Sequence, residues 1–237
     1  MNGEILDLLV KNFGQSYSQV LGIDLRSRND GEIFKWFLAS VLFGAPISET
    51  SVIRTFKCFE KHGVLTPKKV LETGWNGLVD ILDAGGYTRY DFKTSDKLLE
   101  VMGNLMAKYG GNLNLLHEQA SGSYDLEKRL KDLGKGIGDV TVSIFLRELR
   151  DVWEKADPKP TPLVILAAKN LGMTKGDSPE KALGELKEFW RRNEVPGATF
   201  VNFETALLRL GKGFCRKGTG KCRLCVLQRY CLAATSV

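Results

Sequence analysis

The chain has 237 residues, 43% of them hydrophobic and 26% charged, with a net charge of +6 from 34 basic and 28 acidic side chains. A chain of this length buries a core without disulfide staples, so its five cysteines are free for other work. No run of about eighteen apolar residues occurs, and the opening M-N-G-E-I-L-D-L-L-V-K puts an acid inside its apolar stretch and lacks a small-residue cleavage site. An unexported, cytoplasmic protein that does not enter membranes is expected.

Along the chain, apolar residues recur at intervals of three and four, as in F-K-W-F-L-A-S-V-L-F (34–43), K-L-L-E-V-M-G-N-L-M (97–106) and V-T-V-S-I-F-L-R-E-L (140–149). That period predicts helices, and strand-like alternation is scarce, so the fold class is all-α. Turn residues punctuate the pattern at G-A-P (44–46), L-T-P (65–67), A-G-G-Y (84–87), Y-G-G-N (109–112), G-K-G-I-G (134–138), D-P-K-P-T-P (157–162) and G-D-S-P (176–179). About ten short helices follow from these breaks. Ser178 followed by Pro179 reads as an N-cap with proline at the first helical position.

Three residue types invite a reading on the way. Cys58 reads as a buried helix residue, His62 and His117 as solvated side chains near helix ends, and Trp36, Trp75, Trp153 and Trp190 as core anchors. Neither histidine has a metal-ligand or triad partner at useful spacing.

The first strong motif is L-G-K-G-I-G-D-V-T-V-S-I-F-L (133–146). Leu126, Leu130 and Leu133 form a helical stripe before the glycines, and Val142, Phe145, Leu146 and Leu149 form one after them. The pattern is helix, glycine hairpin, helix. Gly134, Gly136 and Gly138 allow a tight turn whose backbone N–H groups and following helix N-terminus point outward, an arrangement that suits a phosphate and reads no base. Asp139 is placed to cap the second helix, and Lys135 either touches the phosphate or is simply solvated.

The second motif is C-R-K-G-T-G-K-C-R-L-C-V-L-Q-R-Y-C, with Cys215, Cys222, Cys225 and Cys231 spaced C-x6-C-x2-C-x5-C. Four thiolates in one short segment of a reducing compartment can hold a [4Fe-4S] cluster or a zinc ion. Zinc ribbons usually bring two close C-x-x-C pairs and this segment has one, which favours the cluster. Between Gly211 and Cys231 the chain carries Lys212, Arg216, Lys217, Lys221, Arg223 and Arg229 and no acid, a field of one sign that attracts a polyanion.

Together these two motifs resemble the endonuclease III family of helix-hairpin-helix DNA glycosylases, over about residues 33–231. The resemblance implies two helical domains: a six-helix domain at 27–150 with the helix-hairpin-helix at 126–150, and a cluster domain from 1–26 and 151–237 with its cluster loop at 215–231. It also implies a largely structural [4Fe-4S] cluster that shapes the loop between the first two ligands, so that Arg216, Lys217 and Lys221 meet DNA phosphates. Double-stranded DNA is the implied partner, bound mainly through its backbone by a monomer that is nucleoid-associated when bound.

The family's catalytic positions are substituted. Bifunctional members place a Schiff-base lysine two residues after the last hairpin glycine, where this chain has Val140. The family's catalytic aspartate opens a helix that ends in L-G; aligned on Leu171-Gly172, its position is Thr161, and Asp157 in the preceding loop is the remaining candidate acid. The loop that resembles the base-extruding wedge, A-G-G-Y-T-R-Y, has Gly86 at the wedge position, with Tyr87 beside it as the side chain that could stack; the filler position falls near Ala45. The expectation is a DNA-binding protein with a degenerate or altered catalytic site. The alternatives are an active monofunctional DNA N-glycosylase on an unusual damaged base, and a protein-interaction or redox module.

Overall fold

The computed structural model describes residues 2–216 and 221–234. Among them there is no strand, and the fold is all-α: α1 (Asn2–Phe13), α2 (Tyr17–Val20), α3 (Asp30–Phe43), α4 (Glu49–Lys61), α5 (Pro67–Gly85), α6 (Asp91–Tyr109), α7 (Leu113–Gln119), α8 (Ser123–Lys131), α9 (Asp139–Glu148), α10 (Pro162–Asn170), α11 (Pro179–Arg192) and α12 (Phe200–Leu210). None of these helices is long and apolar enough to cross a membrane. The chain divides into two compact units, Ser18–Pro158 and Met1–Tyr17 with Lys159–Val237.

In the Ser18–Pro158 unit, α3 is apolar nearly all round and is buried from Ile33 through Leu42 apart from Lys35. A helix without a polar face must be wrapped by others, and α3 is packed by α4, α7 and α9. Phe37 meets Phe145 of α9 edge to face at 5.1 Å, and the Trp36 indole N–H donates to the Phe145 carbonyl at 3.0 Å. Sequence-local chemistry sets the helix starts. Asn29, Ser48, Thr66 and Asn112 each accept a hydrogen bond from a first-turn N–H, and Pro67 follows its cap directly. Within α5, Gly74 takes φ 66°, which kinks an otherwise continuous helical pattern.

The second unit is built on α12. Its Phe203, Ala206, Leu207 and Leu210 pack with Leu6 and Leu9 of α1 and with Val164 and Ala167 of α10, forming one core cluster. Ser178 caps α11 with Pro179 in its first turn, as its sequence predicts. Thr199 and Asn202 form a reciprocal capping box at the start of α12. Beyond α12 the chain tightens into one π-helical turn, Gly211–Cys215. That turn requires glycine at its start, because a Cβ on Gly211 would stand 2.4 Å from the Leu163 carbonyl oxygen.

The isolated residues divide. Trp36, Trp153 and Trp190 are buried, whereas Trp75 is 37% exposed, leaning on Phe92 at 5.1 Å and donating to Asp96. It is a surface aromatic, not a core anchor. His62 is exposed beyond α4. His117 is not solvated: it stacks on Trp153 at 4.7 Å with its Nε2 buried, and burial holds its pKa below the usual imidazole value. Cys58 lies on α4 half-buried, not fully buried.

Candidate nucleic-acid interface

The glycine hairpin lies in the Ser18–Pro158 unit, between α8 and α9. Both predicted stripes point inward: Leu126, Leu130 and Leu133 on one side and Val142, Phe145, Leu146 and Leu149 on the other are buried, and Ile137 anchors the tip. Gly136 takes φ +90°, which L side chains rarely adopt. Space also selects glycine at Gly134, where a Cβ would stand 2.7 Å from Val101 of α6; at Gly136 a Cβ would stand 2.7 Å from Cε of Lys97, the movable end of a long side chain. Gly138 faces open space and begins α9 in extended backbone.

The hairpin is held from beneath by α6. Lys135 N–H donates to Glu100 at 3.0 Å, and Asn104 donates to the Leu133 carbonyl at 2.9 Å. Among the described residues, the N–H groups of Gly136 and Gly138 donate to no acceptor. With the unpaired first-turn N–H groups of α9 they make an outward-facing set of donors at the positive end of a helix. Lys135 itself is exposed.

Asp139 does not cap α9. Its side chain is 90% exposed and reaches back across the hairpin to Lys131 at 2.5 Å, and Gly138 occupies the cap position without any side-chain bond. Hydrogen bonding to Lys131 holds the Asp139 carboxyl below its ordinary pKa and raises that of Lys131. A carboxylate in the first turn suits the helix dipole even without a cap bond. Val140, next in sequence, is 62% exposed.

The loop after α5 is built differently from what its sequence invites. Tyr87 is fully buried and its hydroxyl donates to the Leu42 carbonyl at 2.6 Å; burial pushes its pKa far up. It is a core residue and cannot stack on a base. Gly86 takes φ 82°, and its face is occupied by Arg54, whose Nε donates to the Gly85 carbonyl at 2.6 Å. Ala45 follows Gly44, where the end of α3 approaches α9 so closely that a Cβ would meet Thr141 Oγ1 at 2.3 Å. Asp157 forms an ion pair with Arg150, whose side chain is only 5% exposed and also donates to the Pro158 carbonyl.

The cysteine segment lies in the other unit. Cys215 closes the π-helical turn, and Cys215, Cys225 and Cys231 pack against the core cluster around α12 together with the buried Leu227. The chain turns through two short 3-10 pieces, Cys222–Leu224 and Gln228–Tyr230. All four thiols are free and half-buried. Burial pushes the Cys215 thiol up to about 11, Asn170 hydrogen-bonds to it, and the charges of Cys231, Cys225 and Cys222 act on it. Among the described residues no three Cys, His, Asp or Glu side chains converge into a ready-made metal cage. The donor set is nevertheless chemically apt, with four soft sulfur donors in one half-buried loop, near enough to influence one another.

The exposed cations of that segment are Lys212, Arg216, Lys221, Arg223 and Arg229; Arg229 is tied to Glu4 at 2.9 Å and lies over Tyr230. Lys217 lies outside the described residues. Thr161 begins α10 without a side-chain cap bond, its Oγ1 buried and unpartnered among the described residues.

A helical fold with a glycine hairpin between α8 and α9 and a cysteine-bearing turn after its last long helix has a solved counterpart. The chain is similar to the structure of a trapped endonuclease III–DNA covalent intermediate, with 18% identity over 84% of each chain and a TM-score of 0.52. The fold is therefore endonuclease III-like. No protein-family model matches the chain, and no curated protein matches it either.

Proposed function

We propose that this protein binds duplex DNA through its backbone, using the hairpin and the cysteine loop, and that the glycosylase site of its fold is degenerate or altered. The observation that carries the reading is the hairpin: exposed, unpaired N–H groups of Gly136 and Gly138 at the N-terminus of α9, in a chain whose fold is endonuclease III-like. Such donors hold a phosphate without reading the base beside it. The basic side chains Arg216, Lys217 and Lys221 add charge from the cysteine loop. Cys215, Cys222, Cys225 and Cys231 would hold a [4Fe-4S] cluster, which when bound fixes the loop that carries those cations. Purified anaerobically, the protein should be brown; a colourless zinc protein would refute this assignment.

The proposed loss of glycosylase chemistry rests on three residues. Val140 offers no amine for a Schiff base. Thr161 has a neutral hydroxyl where a carboxylate would stabilise developing positive charge. Asp157 already has its charge matched by Arg150. A panel of lesion-bearing duplexes should give no base release by holo-protein. Release that disappeared on Asp157→Ala would establish the monofunctional-glycosylase reading instead.

Binding itself is tested by salt. For about four phosphate contacts, log affinity for undamaged duplex should fall with log salt at a slope of roughly −4. A flat dependence would overturn the reading. Asp139 sharpens the same measurement, because it places a carboxylate at the mouth of the hairpin and occupies Lys131. Asp139→Asn should therefore bind several-fold tighter at low salt, with a slope steeper by about one as Lys131 becomes available to a phosphate. Unchanged affinity would remove Asp139 from the interface.

A further inference from the structure

Lys97 stands out among the lysines. It lies on α6, directly beneath the hairpin, with its stem against Gly136: a Cβ there would meet Cε at 2.7 Å and Nζ at 3.4 Å. The side chain is half-buried, yet among the described residues no carboxylate pairs with it. Nearby acids are committed elsewhere. Glu100, one turn along α6, accepts from Lys135 N–H, and Asp139 is bound to Lys131. The Lys97 pKa is lowered, and burial is the cause; no neighbouring carboxylate offsets it. An ammonium pulled partly out of water without a counterion is unfavourable, and an aliphatic side chain of similar length would fill the same space. The cation sits where the hairpin donors are unpaired.

We infer that Lys97 is a DNA-binding residue, supplying the cationic arm of the hairpin's contact with a backbone phosphodiester while Gly136 and Gly138 supply the N–H donors. This rests on the proposed DNA-binding function and adds a residue from a helix outside the hairpin motif. The left-handed backbone at Gly136 needs glycine, and the end of the Lys97 side chain lies against that glycine. The phosphate would replace the missing counterion, so charge and hydrogen bonds would converge on one anion.

The test is Lys97→Met, which keeps the stem and removes the charge, titrated beside wild type against an undamaged fluorescent duplex over a range of salt. The variant should bind several-fold more weakly at low salt, with a log–log slope shallower by about 0.9, the value for one phosphate contact. Its melting temperature should not fall, because no internal ion pair is lost. A wild-type slope retained by the variant overturns the Lys97 assignment alone; wild type that does not bind, or binds without salt dependence, overturns the parent reading and this one with it. Amine acetylation of the wild-type protein, read by mass spectrometry, is an independent check. Lys97 should lose reactivity when duplex is bound, and equal reactivity with and without duplex would refute the contact whatever the variant does.

Discussion

Under the proposed cluster assignment, Cys215→Ser should abolish iron binding. Holo-protein carrying a [4Fe-4S] cluster contains about four irons per chain, and loss of one thiolate should lower that to below one, with loss of the brown colour. Cys215 is the proposed ligand to remove because it alone of the four closes a helical turn, Gly211–Cys215, that continues directly from the core helix α12. Serine keeps the size of the side chain and its hydrogen-bonding capacity toward Asn170. The helices should survive, since the core around α12 is formed by Leu6, Leu9, Val164, Phe203 and Leu207, and Cys215 packs only at its margin. Far-ultraviolet circular dichroism should therefore match wild type. DNA affinity should nevertheless fall, because the cations on the loop after Cys215 would no longer be held in one geometry. A variant that retained full iron would sink the ligand assignment. One that lost iron but bound DNA as tightly as wild type would separate the cluster from the binding surface.

The features that sequence predicts correctly are those that neighbouring residues decide. Ser178-Pro179 starts a helix because an N-cap and a proline at the first turn act within a few residues. The hairpin stripes are legible because Leu126, Leu130 and Leu133, like Val142, Phe145 and Leu146, declare a buried face by their spacing. About ten helices are expected, and twelve stand among the described residues. The short α2 carries little periodic signal, and the α7–α8 junction at Ser121-Gly122 lacks the doubled glycine or proline of the other breaks.

The misread residues share a different cause. Tyr87 is fixed by the carbonyl of Leu42, forty-five positions away, and His117 by stacking on Trp153. Asp139 had a local role open to it, but the ammonium of Lys131 on the far side of the hairpin holds it instead of the N-cap position. Lys97 and Glu100 carry no motif at all. On α6 they are a polar pair three residues apart, flanking the buried Leu98 and Val101, and only the packing of α6 under the hairpin gives them a place there. A signal existed in that pair, since two long polar side chains beside an apolar stripe must run along whatever the stripe packs against.

The substitution with the largest expected gain is Val140→Lys. Wild-type protein, incubated with duplex carrying an abasic site and then borohydride, should form no covalent adduct at this position, because valine has no nucleophile. The variant should. Position 140 is in the first turn of α9 and its side chain is 62% exposed, so a lysine enters without repacking and should change stability by no more than about 0.5 kcal/mol. The positive end of α9 disfavours a second positive charge, which lowers the new ammonium's pKa and increases the fraction of free amine. In the reaction the amine lone pair attacks the aldehyde carbon of the ring-opened abasic sugar, the carbonyl oxygen leaves as water, and the resulting iminium is reduced by hydride from borohydride to a stable secondary amine. The adduct is read as a protein band shifted by the mass of the DNA strand, and it should vanish when borohydride is replaced by chloride salt. If the variant binds the abasic duplex to saturation yet forms no adduct, residue 140 does not face the sugar. The alignment that sets Val140 against the family's lysine would then be wrong, and its absence would say nothing about lost chemistry. If the adduct forms, the hairpin presents its second helix to DNA as a glycosylase does, and the wild-type chain lacks the amine rather than the approach.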